Sequence, residues 1–463
     1  MKKVVLFLGL GLILLGSAQA AIVTNTNQSA AFIRMLSRNA TTDIDAVYYN
    51  PAGLVKLADG WHFYLANETI SQTKTVVNDF PLLNNGTYDG KVSVPIYPDA
   101  YVVWKKGKIA VSLGFGPNGG GGAADYATGL PSFETGLSTL PAMFSTLGVD
   151  SYSADIAFKG SSMFLGFQGN LSYALSDMFS LAAGIRYIAA INTYEGHLNS
   201  VMLDPNFPML GFTGAMIPAV TFFNTLGAYG ILPPATAAYL AAQVADKSVD
   251  AKQTGSGFTP ILSFHANPIP ELNVSVRYEF ITKLELTNET TVDGTGMFPD
   301  GEKTHADIPG FLALGADYAI SPAFRASLSF STYFDKSADW DGREDYLDKN
   351  SYDASVGLEY DITDLITVSA GYMRSSVSVT DNYQSDMSYD LNTDTFGFGG
   401  RINLSPNFNV DLGVLFAIYE DYSKDIDYYL GAIPLGPYRE QYQQSTFVFS
   451  IGAGYHFGGQ VQE

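Results

Sequence analysis

The chain of 463 residues has no cysteine, and its 46 acidic residues far outnumber its 25 basic ones. Without cysteine the protein has no disulfide framework and no thiolate chemistry. A net charge of −21 argues against nucleic acid as a partner, because phosphate binding requires a basic surface. After the N-terminus, no stretch offers the roughly 20 uncharged apolar residues in a row that a membrane-spanning helix needs.

Motifs for catalysis and for metal binding are also missing. The five histidines, at positions 62, 197, 265, 305 and 456, have no metal-ligand spacing, and there is no G-x-S-x-G nucleophile elbow. The glycine run 119–122 is not followed by the Lys-Ser/Thr pair of a phosphate-binding loop. We therefore expect no enzyme activity, no cofactor and no bound metal; a protease or lipase is the disfavoured alternative.

The first twenty residues have the pattern of a secretory signal. Met1-Lys2-Lys3 is followed by an apolar run from Val4 to Leu15 and by Ala18-Gln19-Ala20, an A-x-A cleavage site. An N-terminal anchor helix is the alternative, but this run is shorter than the ~18–20 residues that span a bilayer. We predict a signal peptide over 1–20 and a mature chain that begins at Ala21.

From Trp61 onward, apolar residues recur at every second position. In 271–284 they take the even positions from Leu272 to Phe280, while polar residues take the odd ones. About fourteen stretches follow this pattern: 61–71, 93–104, 108–116, 162–173, 178–194, 255–267, 271–284, 308–320, 323–333, 351–361, 365–374, 391–403, 407–420 and 445–457. Very short turns alternate with long insertions between them, as in outer-membrane barrels.

The pattern predicts an all-β fold, a transmembrane antiparallel β-barrel of about 14 strands in the outer membrane. The barrel should cover 59–457 and end in an aromatic strand at Phe457, followed by a tail over 458–463. The 29 tyrosines and 30 phenylalanines agree with aromatic girdles at the membrane surface. A soluble β-sandwich is the alternative, but its strands average only ~5–6 residues.

Residues 21–58 precede the first strand and have the length of an N-terminal hatch that plugs the barrel lumen. This segment contains a turn formed by Asn50, Pro51 and Ala52. The proline has a fixed φ and keeps the residue before it, Asn50, in an extended conformation. We expect this turn inside the barrel against the end of the 108–116 strand. There Gly114 and Gly116 leave the inward face without bulk, and Pro117 has no N–H to donate to a ladder. The sequence therefore predicts a gate at this point of the wall.

Two long outer loops, 117–160 and 196–254, carry far more apolar residues than exposed loops usually do. Apolar residues at helical spacing predict amphipathic helices within 133–147 and 235–246. Either the loops pack into a satellite core of their own, or they form an apolar groove that captures ligand. The candidate groove residues are Phe133, Leu137, Leu140, Phe144, Met209, Phe212, Phe222 and Phe223.

Four arginines, Arg186, Arg277, Arg325 and Arg401, share the polar parity of their strands. An arginine that faced lipid at the membrane centre would cost about 2–4 kcal/mol, so we expect all four to face the lumen. One interpretation pairs them with lumen acids such as Glu279. The other gives at least one of them the role of anchoring an anionic head group.

These residues together resemble the FadL/TodX family of outer-membrane transporters for long-chain fatty acids and other hydrophobic compounds. The resemblance depends on Asn50-Pro51-Ala52-Gly53-Leu54, on Gly114-Phe115-Gly116-Pro117 and on the segment Ile308–Tyr318. It implies a fourteen-stranded barrel with a hatch, capture of ligand by the outer loops, a pocket in the lumen and sideways release where the third strand kinks.

The partners that this resemblance implies are a long-chain fatty acid or another hydrophobic small molecule, together with outer-membrane lipid and lipopolysaccharide. We expect a monomer with no nucleic-acid partner. A general diffusion porin and a surface adhesin remain as alternative functions, since both also use outer-membrane barrels with long loops.

Overall fold

The structure of this chain, a computed structural model, describes residues 26–430 and 433–458. The expected signal peptide and residues 459–463 of the expected tail lie outside this range. Twenty strands are described: β1 Gly60–Asn78, β2 Thr87–Lys106, β3 Ile109–Tyr126, β4 Tyr152–Ala174, β5 Phe179–Leu203, β6 Ile217–Pro218, β7 Lys247–Ile269, β8 Leu272–Glu279, β9 Glu285–Asp293, β10 Lys303–His305, β11 Phe311–Ser321, β12 Phe324–Tyr333, β13 Tyr352–Asp361, β14 Ile366–Ser376, β15 Thr393–Ser405, β16 Phe408–Tyr419, β17 Tyr422–Ile426, β18 Tyr429–Leu430, β19 Ile433–Pro434 and β20 Tyr438–Phe457.

Helices are few and short, and they lie in the N-terminal segment and in two outer loops. They are α1 Ala30–Ile33, α2 Ala46–Tyr49, α3 Pro131–Ser138, α4 Leu140–Met143, α5 Ala219–Ala228 and α6 Pro234–Gln243, with 3-10 turns at 51–56, 145–147, 208–210, 335–337 and 343–346. No helix among the described residues is long and apolar enough to cross a membrane.

Antiparallel pairing closes the sheet into a barrel, because β1 pairs with β20 from Trp61↔Phe457 to Asn78↔Glu440. Strands β8 and β9 together form one wall strand, as do β10 with β11 and β16 with β17. The two-residue strands β6, β18 and β19 belong to loops, so the wall has fourteen strands. The predicted strand number is confirmed. Short connections such as 107–108 mark one end of the barrel, and the long helix-bearing loops mark the other.

The wall has its apolar side outward. In β5, Leu181 and Ile185 are 44% and 52% exposed, whereas the alternate residues Ser180 and Arg186 are buried against the lumen. A soluble β-sandwich would bury the apolar set instead, because its core lies between two sheets. An apolar outer belt around a polar interior is the arrangement of a barrel in lipid.

The two loops are shorter than the expected ranges 117–160 and 196–254, and those boundaries were wrong. Strand β3 continues to Tyr126 and β4 begins at Tyr152, so the first loop covers 127–151. The glycine run 119–122 stays in the sheet and is accommodated by bulges in the β3–β4 ladder. The second loop covers 204–246 for the same reason, since β5 continues to Leu203 and β7 begins at Lys247.

The hatch, residues 26–58, fills the lower lumen. Its apolar residues, such as Ile33 and Leu36, are fully buried in one core with wall residues of β1, β2, β16 and β20. Glycines of the wall let the hatch backbone approach: a Cβ at Gly371 would collide with the carbonyl oxygen of Met35, and one at Gly397 with that of Ile33. These glycines therefore mark where the wall contacts the hatch.

Candidate functional site

Ion pairs fasten the hatch to one side of the wall. Arg34, fully buried on the hatch, donates to Asp411 of β16 at 2.9 Å and to Glu359 of β13. On the same side, Arg401 of β15 bonds Asp411 at 2.9 Å and Asp43 of the hatch at 3.2 Å. Each buried charge in this network has a partner, as buried charges require.

Arginines of β5 and β8 contact the hatch from the opposite side. Arg186 forms a two-pronged ion pair with Glu279, at 2.6 and 2.9 Å, and its guanidinium lies 4.8 Å from the ring centre of Tyr48. Arg277 donates to the Tyr48 carbonyl and lies 3.5 Å from Glu279. The hatch is therefore clamped between charged groups on both sides.

All four predicted arginines occupy the inward face, and each has an acidic partner; Arg325 pairs with Glu359. An anionic head group would have to displace one of these acids in order to bind. The structure thus agrees with the interpretation that paired the arginines with lumen acids. A cation that is free to bind an anionic head group has to be sought among other residues.

The Asn50 turn lies inside the barrel, but against different strands from those expected. The hydroxyls of Ser172 on β4 and Ser180 on β5 donate to the carbonyl oxygens of Pro51 and Ala52, both at 2.7 Å. Asn50 lies 3.0 Å from His265 of β7. The expected contact with the 108–116 strand was wrong, because this turn sits farther round the wall, where small hydroxyl side chains bond its carbonyls.

Other parts of the hatch contact the third strand. Val47 fills the space that Gly114 leaves, with 2.9 Å between its Cγ1 and the position of a Cβ on that glycine. Gln28 donates through Nε2 to the Pro117 carbonyl at 2.6 Å. Gly114, Gly116 and Pro117 are therefore the wall positions that face the hatch.

The hydrogen-bond ladder between β2 and β3 is broken. It runs from Lys106↔Ile109 to Ala100↔Phe115 and resumes only at Lys91↔Asp125. Over the same stretch β3 stays paired with β4, although with bulges after Pro117 and after Gly120. We call the unpaired stretch, residues 92–99 of β2 with 116–124 of β3, the seam.

Side chains rather than backbone hydrogen bonds close the seam. Val92, Val94 and Tyr97 are buried there with Ala124 at the edge of their cluster. The Tyr97 hydroxyl donates to the Pro117 carbonyl at 3.2 Å. Side-chain packing of this kind can open without breaking the sheet, so the seam is the weakest part of the wall among the described strands.

Above the hatch, the lumen is lined by aromatic rings. Tyr88, Tyr126, Phe158, Tyr389 and Tyr442 form one buried cluster, with Phe133 from the first outer loop packed against it. The ring centroids of Tyr389 and Tyr442 are 4.9 Å apart, and those of Phe133 and Phe158 are 5.3 Å apart. We call this lining the aromatic chamber; it is the apolar surface between the outer loops and the hatch.

Two lysines of the described chain face this chamber, and one of them, Lys424 of β17, lies 5.8 Å from the ring centre of Tyr442 and donates to the carbonyls of Asp381 and Gln384. Lys74 of β1 places its Nζ 4.7 Å from the ring centre of Tyr389, and no carboxylate oxygen of the described chain lies within 4 Å of it. A lysine in aromatic surroundings provides a charge for a polar head group and apolar surface for its tail. The sequence signal was weak, because Lys74 lies in a noisy stretch beyond the expected end of the first strand at residue 71.

The outer-loop residues proposed for a groove lie mostly inside a satellite core. Phe222, Phe223 and Leu140 are fully buried, Leu137, Phe144 and Phe212 nearly so, and they pack on one another across the two loops. Only Met209 of the proposed set is exposed, at 85%. The apolar side chains open to solvent on these loops are Met209, Met216, Tyr229, Ile231 and Tyr239.

A hydrogen-bonded carboxylate ties the first loop to the barrel. Glu134 of α3 is buried and accepts from the hydroxyls of Tyr88 and Tyr152, both at 2.5 Å, and from the Asn84 backbone N–H at 2.9 Å. This connection holds the helix that carries Phe133 over the mouth of the aromatic chamber.

One group with metal-ligand chemistry comes together only in the fold. His305 lies 2.7 Å from Asp341 and 3.9 Å from Asp339 at the outer mouth, and all three side chains are exposed. Spacing along the chain could not have found it, because β10 and the loop after β12 meet only through the sheet.

Protein-family models and curated protein sequences give no match to this chain. Solved structures do. A FadL homologue of Pseudomonas aeruginosa superimposes with a TM-score of 0.63 over 96% of this chain and 100% of its own, at 13% identity. The toluene transporter TodX of P. putida gives 0.57 over 91% and 95%, at 14% identity. The Ralstonia pickettii toluene transporter TbuX gives 0.53 over 90% and 94%, at 14% identity.

The chain therefore has the fold of the FadL and TodX barrels. Together with the apolar outer belt, this fold is that of a β-barrel in a lipid bilayer.

Proposed function

We propose that this protein takes up hydrophobic small molecules across the outer membrane, in three stages. The exposed apolar residues of the outer loops capture the ligand, the aromatic chamber holds it, and the seam releases it sideways into the membrane. The observation that carries the proposal is the seam, a stretch of wall directly beside the hatch where β2 and β3 are not paired with each other.

A straight aqueous route fits the structure less well than a lateral one. The hatch occupies the lower lumen, fixed by the Arg34 ion pairs and by hydrogen bonds that side chains of β4, β5 and β8 donate to its backbone carbonyls. A general diffusion porin needs an open polar channel instead. An apolar ligand also gains about 0.8 kcal/mol for each CH₂ that it buries in lipid, and release through the seam keeps that gain.

A disulfide across the seam tests lateral release. The Cβ of Val94 lies 3.8 Å from the position of a Cβ at Gly122, which is within the range of disulfides. The chain has no cysteine of its own, so V94C/G122C forms one defined bridge. We expect fatty-acid uptake by proteoliposomes to stop when this variant is oxidised and to return on reduction.

The reduced form of the same variant controls for strain at Gly122, whose φ of +107° a cysteine adopts poorly. The cysteine-free parent, treated with the same oxidant, controls for the reagent. Uptake at the parent's rate by fully oxidised V94C/G122C would rule out lateral release. Brisk flux of sugars through the parent would instead support the porin alternative.

Lys74 suggests that the ligand carries an acidic head group, as a long-chain fatty acid does. A charge-assisted hydrogen bond contributes about 1.5–3 kcal/mol, so K74M should weaken fatty-acid binding roughly 10- to 100-fold. Binding of the methyl ester with the same chain should not change. K91M, on the outward face of the neighbouring strand, is the matched control. Equal loss for acid and ester would show that Lys74 only packs against the chamber.

A further inference from the structure

Two carboxyl groups lie buried in the wall beside the seam. Glu68 of β1 and Asp99 of β2 are both 0% exposed. Glu68 stands opposite Tyr97 at a bulge in the β1–β2 ladder, and Asp99 precedes Ala100, the last β2 residue paired with β3 below the seam. The two acids therefore lie at the point in the wall where the pairing between β2 and β3 stops and the seam begins.

Neither carboxyl group has a hydrogen-bond partner among the described residues, although all four of their oxygens are buried. No lysine or arginine of the described chain lies within ion-pair distance of either carboxyl group. Asp99 Oδ1 lies 2.5 Å from the position of a Cβ at Gly116, so the carboxyl group faces the third strand directly. Buried polar groups without partners are rare and call for an explanation.

The neighbouring titratable groups do not supply a donor. Tyr97 and Tyr101 of β2 donate to the carbonyls of Pro117 and Gln28, and Tyr49 of the hatch donates to that of Thr26. The Tyr64 hydroxyl of β1 accepts from Ala30 N–H, and the hatch carboxylate Asp45 is held by Arg38. From β20, the residue opposite Glu68 is the uncharged Ser450.

We propose that Glu68 and Asp99 form a proton-operated latch on the seam. Two bare carboxylates in this position would be uncompensated buried charges, which proteins avoid by protonation or by movement. With protons bound, the pair is neutral and the seam stays packed. Loss of the protons places two like charges side by side with no counter-charge, and they gain contact with water when the side chains that pack β2 against β3 part at the seam, while β2 stays paired with β1.

The latch regulates the lateral route and so rests on the proposed function, but its own chemistry can be measured separately. Infrared spectroscopy reports neutral carboxyl groups through their C=O stretch. We expect the parent spectrum minus that of E68Q/D99N to show a buried neutral carboxyl band that disappears as the pH rises. An absence of that band from the parent at every pH, with both groups ionised throughout, would overturn the proposal.

Spin labels measure whether the seam moves. Labels at I96C on β2 and A123C on β3, both within the seam, report its width, and labels at T69C and F449C report the fully laddered β1–β20 pair as the matched control. In nanodiscs we expect a longer seam distance to appear at high pH and to be missing from E68Q/D99N, which imitates the protonated pair. The control distance should stay constant.

E68Q alone provides a second variant, because it removes the like-charge pair and leaves one titrating acid. It should abolish most of the pH-dependent widening. A seam distance that is independent of pH in the parent, widening that persists in E68Q/D99N, or widening that follows added calcium rather than pH would each overturn the latch. If the seam responds to pH while uptake does not, the latch stands and the lateral route of the proposed function fails.

Discussion

The ion pairs of Arg34 allow one prediction to be developed quantitatively. Replacing Arg34 by methionine removes one of the partners of Asp411 and one of the partners of Glu359, and both acids are nearly or fully buried. Breaking a buried pair usually costs 3–5 kcal/mol, because a buried charge is left uncompensated. Here Glu359 keeps Arg325 and Asp411 keeps Arg401, so we take the lower end, about 3 kcal/mol, for the stability of the docked hatch.

Cysteine labelling measures this quantity without unfolding the barrel. Ser37 lies in the hatch with 2% of its surface exposed, and S37C would be the chain's sole thiol. A water-soluble maleimide reacts with it only when the hatch opens, so the labelling rate follows the opening free energy. At about 1.4 kcal/mol per factor of ten, R34M should raise the rate roughly 100-fold.

Two variants on the S37C background separate the buried charge from general damage. K105M breaks the Lys105–Asp59 pair, which is near the surface, and should change the rate by less than about fivefold. R34M/E359Q/D411N neutralises the two acids that lose Arg34, while Arg325 keeps Asp317 and Arg401 keeps Asp43, and it should recover most of the protection. A rate for R34M no higher than for K105M would refute the reasoning, and so would a triple variant that labels as fast as R34M.

Three further predictions concern the hatch and the outer loops. G371A should undock the hatch, because its methyl group collides with the backbone of Met35, and S37C labelling should detect this. E134A should strand two tyrosine hydroxyls under α3 and speed proteolysis of the first outer loop while the barrel's heat-modifiable gel mobility stays intact. Burial alone would raise the pKa of Asp204, but hydrogen bonds from Ser151 lower it below its ordinary value. The junction of the two loops should therefore be most stable above the pKa of Asp204 in the unfolded chain, about 4, and should loosen as the pH falls through the lower pKa of the folded protein. Proteolysis at a series of pH values measures this dependence, and D204N should remove it.

The fold was largely predictable because lipid imposes a strict alternation on the wall. Every strand must keep its apolar side chains outward for the full height of the membrane. Stretches such as 271–284 can therefore be recognised in the sequence by the alternation of apolar and polar residues. Strand ends outside the membrane have no such constraint, and the glycine run 119–122 was therefore placed in a loop. Its bulged pairing with β4 is a tertiary effect that alternation does not reveal.

The site was only partly predictable, because its decisive features are relations between distant residues. Gly114, Gly116 and Pro117 were found from their backbone chemistry alone. The packing of the two loops decides which of their apolar side chains are exposed. It places Phe222 and Phe223 in a satellite core and leaves Met209 facing solvent. In the sequence nothing distinguishes Lys74, Glu68 and Asp99 from the other polar residues that alternate along their strands. They stand out only in the fold, where they have no ionic partner among the described residues.

The position of the hatch also constrains the order in which the molecule assembles. Arg34 lies near the start of the chain, yet its acidic partners lie 325 and 377 residues later, on β13 and β16. The docking surface for the hatch does not exist until these strands have joined the wall, and contacts this distant in sequence form late. A seated hatch is therefore a marker of completed assembly: a barrel that stalls before its last strands close exposes an unprotected N-terminal segment to periplasmic proteases.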